Sequence, residues 1–324
     1  MRYPASEKLE IIRTVEGSHL PVKQTLDMLG IPRTTFYRWY DLYVDGGLDG
    51  LADRSPRPGS VWNRIPDARR DDLIGFALEH EALTTRELAV KYTDEKQYFV
   101  SESSAYRILK AADLITAPDY VVIKAADEFT DKTTAINEMW QTDFTYFKIY
   151  GWGWYYLSTV LDDYSRFIVN WKLCSTMKAE DVKNTLDEAI LATEVPESNR
   201  PRLLSDNGSC YISHELAAYL QVKKMKHVRG RPLHPQTQGK IERYHRSMKN
   251  VVKLDNYFSP EQLERKLKEF VEYYNYKRYH ESLQNLTPAE VYYGKGQLKL
   301  KQRNQTKIKT LKARKKQYHK FNLN

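Results

Sequence analysis

Apolar residues recur at near-helical spacing at the start of the chain. Leu9, Ile12 and Val15 mark one helix, and Val22 and Leu26 a shorter second one. The segment MLGIPRTTFYRWY then places a turn at Gly30 and opens another helix at Pro32. Helix, turn, helix is the grammar of a helix-turn-helix unit, here residues 1–44. Phe36, Trp39 and Tyr40 pack inward on its last helix, so Arg33, Thr34, Thr35 and Arg38 face outward, toward DNA. An ordinary three-helix bundle without a DNA role has the same pattern. The stretch DGGLDGLADRSPRPGS carries four Gly and two Pro, which predicts a linker over 45–65. Its Arg54 and Arg57 either lie in a minor groove or are simply solvated. Helical spacing resumes over 66–115 in TTRELAVKY and VSESSAYRILKAADLI. Ser101 or Ser103 is the N-cap of the latter helix. Ser104 and Arg107 are expected exposed, and Ile108 and Leu109 buried, in a second helix-turn-helix unit. Residues 116–135 read as another linker.

From 136 the period changes. MWQTDFTYFKIY is a strand and GWGW a turn; YYLSTVLDDYSRFIVNWKL holds two more strands around an Asp-Asp turn. Val182, Leu186, Ala189 and Ile190 mark an amphipathic helix. PRLLSDNG is a short buried strand, ISHELAAYLQ a helix, KHVR a strand and GKIERYHRSMKNVVK a helix. Leu263, Leu267, Phe270, Val271 and Tyr274 mark a further helix. An antiparallel meander followed by alternating helices and strands is the order of a ribonuclease-H-like fold. The chain is therefore expected to be multidomain: all-α helix-turn-helix units, an α/β ribonuclease-H-like domain over 136–295, and a tail over 296–324.

Charge changes the picture mainly at that tail. The 324 residues carry a formal net charge of +9, and 29% of them are charged. Residues 291–324 hold 11 Lys or Arg and no acid, so the rest of the chain is near neutral. The tail has weak apolar periodicity and is expected to be flexible, with its cations on phosphates that position DNA without reading bases. Deleting 297–324 is expected to weaken binding broadly and flatten its salt dependence. The two cysteines, Cys174 and Cys210, form no CxxC pattern, which argues against a structural zinc site and fits a reducing cytoplasm. The N-terminus lacks an apolar core of signal-peptide length, and no run is long enough to span a membrane. A cytoplasmic protein without a membrane partner is expected, nucleoid-associated when bound to DNA.

Three acids stand in matched settings: Asp143 in MWQTDFTYF, Asp206 in LLSDNGSCY and Glu242 in TQGKIERYHRSMK, with 35 residues between the last two. Two lie at ends of β-rich runs and the third on a helix opened by a Gly. Such a carboxylate cluster suits two divalent metals, about 3.5–4 Å apart, that activate a nucleophile and stabilise a leaving oxygen at a phosphodiester. Magnesium is hard and takes oxygen ligands, so carboxylates fit where Cys or His would not. The spacing alone is weak, because the chain has 42 acids.

The surrounding residues make it strong. WQTDFTY, LDDYSR, LSDNG, HPQTQGKIERYHRSMK and YYNYKRYHESLQNLTPAEVY, behind helix-turn-helix units, resemble the insertion-sequence transposases with a retroviral-integrase-like core, of the insertion-sequence-three group. The resemblance covers nearly the whole chain and is weakest in the tail. It implies a DDE catalytic triad at Asp143, Asp206 and Glu242. It also implies two Mg2+ ions (Mn2+ as a substitute), double-stranded DNA partners in the form of terminal inverted repeats and target DNA, and a homo-oligomer, dimer or tetramer. Two rivals stay open: a catalytically silent DNA-binding regulator, and a ribonuclease-H-like nuclease that hydrolyses without strand transfer.

Other residues are read around that triad. Asp162 and Asp163 fit a tight turn, so Asp163→Asn is expected to leave most activity. Arg246 and Lys249 share a helix face with Glu242, and Lys240 and Arg243 flank it; all four are expected to hold phosphates of a DNA end. RGRPLHPQTQGK reads as a mobile loop over the site that orders on DNA. His234 and His245 lie near the site, His245 either touching DNA or packing. Cys210 is expected to be a structural thiol.

Overall fold

The computed structural model describes residues 3–52, 61–115, 133–229, 239–253 and 255–321. The chain divides into two compact units, residues 1–64 and 65–324. The first holds α1 (Ala5–Glu16), α2 (Val22–Leu29) and α3 (Arg33–Gly50). Ile12, Val15, Leu26, Ile31, Phe36 and Trp39 form its core. Gly30 ends α2 in the left-handed region at φ 66°, where a Cβ is strained, and the Ile31 amide closes the turn on the Leu26 carbonyl at 3.0 Å. Helix α3 runs past the residue-44 boundary read from the sequence, to Gly50, with a break in helical geometry at Gly47 (φ 60°, ψ −146°). The reason is Leu51: its side chain is buried in the core and its carbonyl accepts from Lys8 Nζ at 3.0 Å, which draws the Gly-rich stretch inward. Arg54 and Arg57 lie outside the described residues.

The second unit opens with α4 (Asp67–Glu79), α5 (Thr85–Lys96) and α6 (Glu102–Ala111). Leu73, Phe76, Leu88, Tyr92, Ile108 and Leu109 fill their shared core. Thr84 and Glu87 cap α5 reciprocally, and Ser101, not Ser103, caps α6.

The sheet follows. Strand β1 (Met139–Ile149) is central; β2 (Gly153–Asp162) and β3 (Ile168–Cys174) extend it antiparallel on one side. On the other side β4 (Arg202–Ser205) and β5 (His227–Arg229) run parallel, giving the order β3-β2-β1-β4-β5. Alternate residues supply two cores. Trp140, Val160 and Leu203 face α7 (Ala179–Thr193) and α8 (His214–Val222) through Val182, Leu186, Leu216 and Leu220. Phe147, Ile149, Leu157 and Leu161 face α9 (Gly239–Val252) and α10 (Pro260–Tyr276) through Ile241, Tyr244, Met248, Leu263 and Leu267. A short α11 (Pro288–Tyr292) leads on, with the Tyr292 ring stacked on Phe167 at 4.5 Å. Among the described residues no helix is long and apolar enough to cross a membrane.

The basic tail departs from expectation. Residues Gly296–Phe321 form a single helix, α12, fastened to the α5–α6 connection. Arg303 forks onto Asp94 (2.8 and 2.7 Å) and also donates to the Asn285 carbonyl at 2.8 Å. Thr310 accepts from the Phe99 amide at 3.0 Å, and Arg314 donates to the Tyr98 hydroxyl (2.8 Å) and the Phe99 carbonyl (2.6 Å). These anchors are polar, so apolar periodicity could not announce them. Lys301, Lys307, Lys309, Lys312, Lys315, Lys316 and Lys320 remain exposed.

Candidate active site

The parallel pairing of β1 and β4 sets the site. Met139, Trp140 and Gln141 stand level with Arg202, Leu203 and Leu204. Asp143 on β1 and Asp206, just past the end of β4, each stand two residues beyond the last of these pairs. Glu242 comes from the first turn of α9, which packs on the same face of β1 as Phe147 and Ile149. The crevice beyond the carboxyl ends of parallel strands, where strand order reverses, is a common place for function in open α/β sheets.

Each acid has a different local setting. Asp143 Oδ1 accepts from the Phe144 amide at 2.8 Å, and its Oδ2 lies 3.3 Å from His245 Nδ1. Asp206 Oδ1 accepts from the Gly208 amide at 2.8 Å. A Cβ on Gly208 would stand 3.0 Å from that oxygen, so a larger residue there would crowd the carboxylate. Glu242 is exposed. Partial burial, and then the charge of Asp143, raise the carboxyl groups of both Asp206 and Glu242 above the usual carboxylate range. Asp143 is thus electrostatically coupled to the other two acids. Even so, among the described residues no group of three or more His, Cys, Asp or Glu side chains is gathered closely enough to hold a metal ion.

An open cleft of about 450 Å³ is lined by Asp143, Phe144, Thr145, Glu242, His245, Arg246, Lys249 and Asn250. Arg246 and Lys249 therefore share a cleft with Glu242, as their helix face implies. Lys249 sits over the Tyr146 ring at 4.9 Å, and partial burial, followed by repulsion from Lys253, lowers its pKa. His245 is buried at 6% exposure against Asp143, so it packs rather than lying open for DNA. Cys210 is partly buried; burial first, then the charge of Asp206, push its thiol up to about 11, which keeps it neutral and unreactive near pH 7.

Two expectations need correction. Lys240 does not face outward toward phosphate: its Nζ donates to Asp163 Oδ2 at 2.6 Å and to the Asp163 carbonyl at 2.9 Å. Asp163 is accordingly not only a turn residue; it is buried at 1% exposure and reaches three other segments. Asp162 holds the turn, accepting from the Ser165 amide at 2.8 Å and hydroxyl at 2.5 Å, and its other oxygen accepts from the Asn137 amide at 2.8 Å. Arg243 is exposed but is not part of the cleft lining. In the first unit Arg33, Thr34 and Arg38 are exposed and Thr35 is half-buried. In the second, Ser104 is half-buried and bonded to Ser101, while exposed Arg107 borders an open depression with Arg86 and Tyr106. His234 and most of the expected loop, residues 230–238, lie outside the described residues; Gly239 and Lys240 already belong to α9.

Residues 133–235 and 223–288 match integrase core domain families. Residues 7–59 match a helix-turn-helix domain and 35–109 a homeodomain-like domain. The domain built on the sheet, within residues 133–288, resembles an integrase core domain. Its sheet order and flanking helices are those of the ribonuclease-H-like integrase fold, behind helical helix-turn-helix units. The transposase of transposon Tn552 from Staphylococcus aureus is 25% identical, over 85% of this chain and 64% of that protein. The Gag-Pro-Pol polyprotein of squirrel monkey retrovirus is 34% identical over 36% of this chain, a match spanning 6% of the polyprotein. Among solved structures, a simian T-cell lymphotropic virus intasome chain aligns with a TM-score of 0.43 at 17% identity, covering 68% of this chain and 74% of its own. The HTLV-2 integrase catalytic core in complex with magnesium aligns with a TM-score of 0.39 at 19% identity, over 48% of this chain and 97% of its own.

Proposed function

We propose that this integrase-core chain is a DNA transposase that binds the terminal inverted repeats of its element and carries out metal-dependent cleavage and strand transfer at the ends. One observation carries the reading: Asp143 and Asp206 each stand two residues beyond the last β1–β4 pair, Gln141 with Leu204, and Asp143 lies near enough for its charge to raise the carboxyls of both Asp206 and Glu242. The all-oxygen donor set suits magnesium, and Asp143, Asp206 and Glu242, which are not drawn into a ligand shell among the described residues, are the residues that would hold it. Bound there, a divalent ion would supply nucleophile activation and charge stabilisation at the phosphodiester. The protein's own part is placement. Arg246 and Lys249 grip phosphates of the DNA end beside the acids, and His245, in the same cleft, steadies the Asp143 side chain. Exposed residues of the helix-turn-helix units, Arg33, Thr34 and Arg38 in one and Arg107 in the other, contact the repeats. The exposed lysines of α12 add sequence-independent attraction. A homo-oligomer brings two ends together.

The test is a strand-transfer assay with magnesium and labelled DNA ends. Joined product supports the proposal. Cleavage without joining indicates a hydrolytic nuclease, and binding without either indicates a silent regulator.

The raised carboxyls add a pH signature. A carboxyl whose folded pKa is raised stabilises the metal-free fold below its unfolded pKa, and that contribution is lost as pH rises through the folded value. A cation must displace those protons, so its affinity climbs through the same window. Mn2+ binding, followed by electron paramagnetic resonance of the free ion, is expected to strengthen with pH at values above the ordinary carboxylate range of about 4. A half-point at or below that range contradicts the assignment of Asp206 and Glu242 as ligands.

A further inference from the structure

Two buried polar side chains tie the helix that carries Glu242 to the strand that carries Asp143. Gln141, two residues before Asp143 on β1, is 2% exposed. Its Oε1 accepts from the Ile241 amide at 3.1 Å, one of the first-turn amides of α9 that no helical carbonyl can satisfy. Its Nε2 donates to Asp163 Oδ1 at 2.6 Å. The other oxygen of Asp163 accepts from Lys240 Nζ at 2.6 Å and from Thr133 Oγ1 at 2.6 Å. The Asp163 amide donates to the Met139 carbonyl at 3.0 Å, which fixes the turn against β1 itself. Lys240 and Ile241, the two residues preceding Glu242, are thus each held by a separate bond to one network.

A buried ion pair is weak evidence for stability, because desolvating both charges offsets much of their attraction; its best-attested use is to fix register. That use fits this place. Apart from His245 against Asp143 and Lys249 over the Tyr146 ring, one and two turns further along, the α9 contact with the sheet is apolar, made by Ile241, Tyr244, Met248 and Val252, and apolar contacts are non-directional. Hydrogen bonds at the first turn define both the rotation and the height of the helix where Glu242 leaves it.

We propose that Asp163, acting through Lys240 and Gln141, is a positioning residue that sets Glu242 relative to Asp143. This inference rests on the reading of Glu242 as a metal ligand. Asp163 itself touches neither substrate nor metal.

The test uses the full chain. Asp163→Asn leaves the half-buried Lys240 ammonium without its counter-charge, so it is paired with the double variant D163N/K240M, which removes both charges. Mn2+ affinity is read by electron paramagnetic resonance, and first-turn order by amide exchange of α9 peptides in metal-free protein. Both variants are expected to lose roughly 10–100-fold in Mn2+ affinity, the usual effect of removing groups that orient ligands. Exchange at residues 239–245 rises, while α10 peptides and DNA binding stay as in the wild type. The double variant regains thermal stability but not Mn2+ affinity, a split that a merely structural role would not produce. Glu242→Gln serves as the control. If it loses Mn2+ binding while D163N/K240M binds Mn2+ and exchanges like the wild type, the positioning role is overturned and the functional reading stands. If Glu242→Gln binds Mn2+ and transfers strands like the wild type, the functional reading falls, and this inference with it.

Discussion

Asp143→Asn, Asp206→Asn or Glu242→Gln is expected to abolish both cleavage and joining while DNA binding remains close to that of the wild type. Each amide keeps the size of the side chain and removes the charge that a hard cation needs. Metal ions contribute several kcal/mol to such reactions, and roughly 4 kcal/mol corresponds to about 10³-fold in rate. Asp143 should be the most sensitive, because its charge acts on both of the other acids and its side chain also meets His245. Binding survives because the helix-turn-helix residues lie on other elements. The measurement is single-turnover cleavage and strand transfer on labelled ends, beside a mobility-shift titration. Wild-type cleavage by any one variant removes that residue from the proposed triad.

Arg303→Ala is expected to cost the second unit about 3 kcal/mol, the low end for breaking a buried ion pair. The guanidinium engages Asp94 with two nitrogens, and Asp94 is only 8% exposed. Lys299 at 3.3 Å supplies partial compensation, which places the cost at that low end. At the size of this unit the loss corresponds to roughly 6–12 °C in thermal midpoint. Arg303→Lys should recover little, since an ammonium cannot reproduce the fork that also reaches the Asn285 carbonyl. Differential scanning calorimetry of the three proteins decides it; an unchanged midpoint in Arg303→Ala means that α12 is not anchored there.

Much of the architecture was legible because it is written in short-range patterns. Strand-like runs on either side of the GWGW turn predicted the meander, and the segment GKIERYHRSMKNVVK predicted α9. Asp143, Asp206 and Glu242 were legible only through the motifs around them. What escaped was long-range and polar. Asp163 in a tight turn looks like a turn acid, and Lys240 beside Glu242 looks like a phosphate grip. Nothing local reveals that the two pair across 77 residues. The anchoring of α12 escaped for the same reason. Arg303, Thr306, Thr310 and Arg314 do recur at helical spacing, but as a polar stripe that hydropathy does not register.

That anchoring also puts the maturation of the protein on a clock. Asp94 meets Arg303 across 209 residues of chain. At a synthesis rate of 5–20 residues per second, the second helix-turn-helix unit emerges and waits roughly 10–40 s for the arginine that neutralises its buried acid. The first unit, whose core draws only on its own residues, has no such delay. A nascent chain therefore passes through an interval with one helix-turn-helix unit finished and the other still lacking its clamp, and the emergence of α12 ends it.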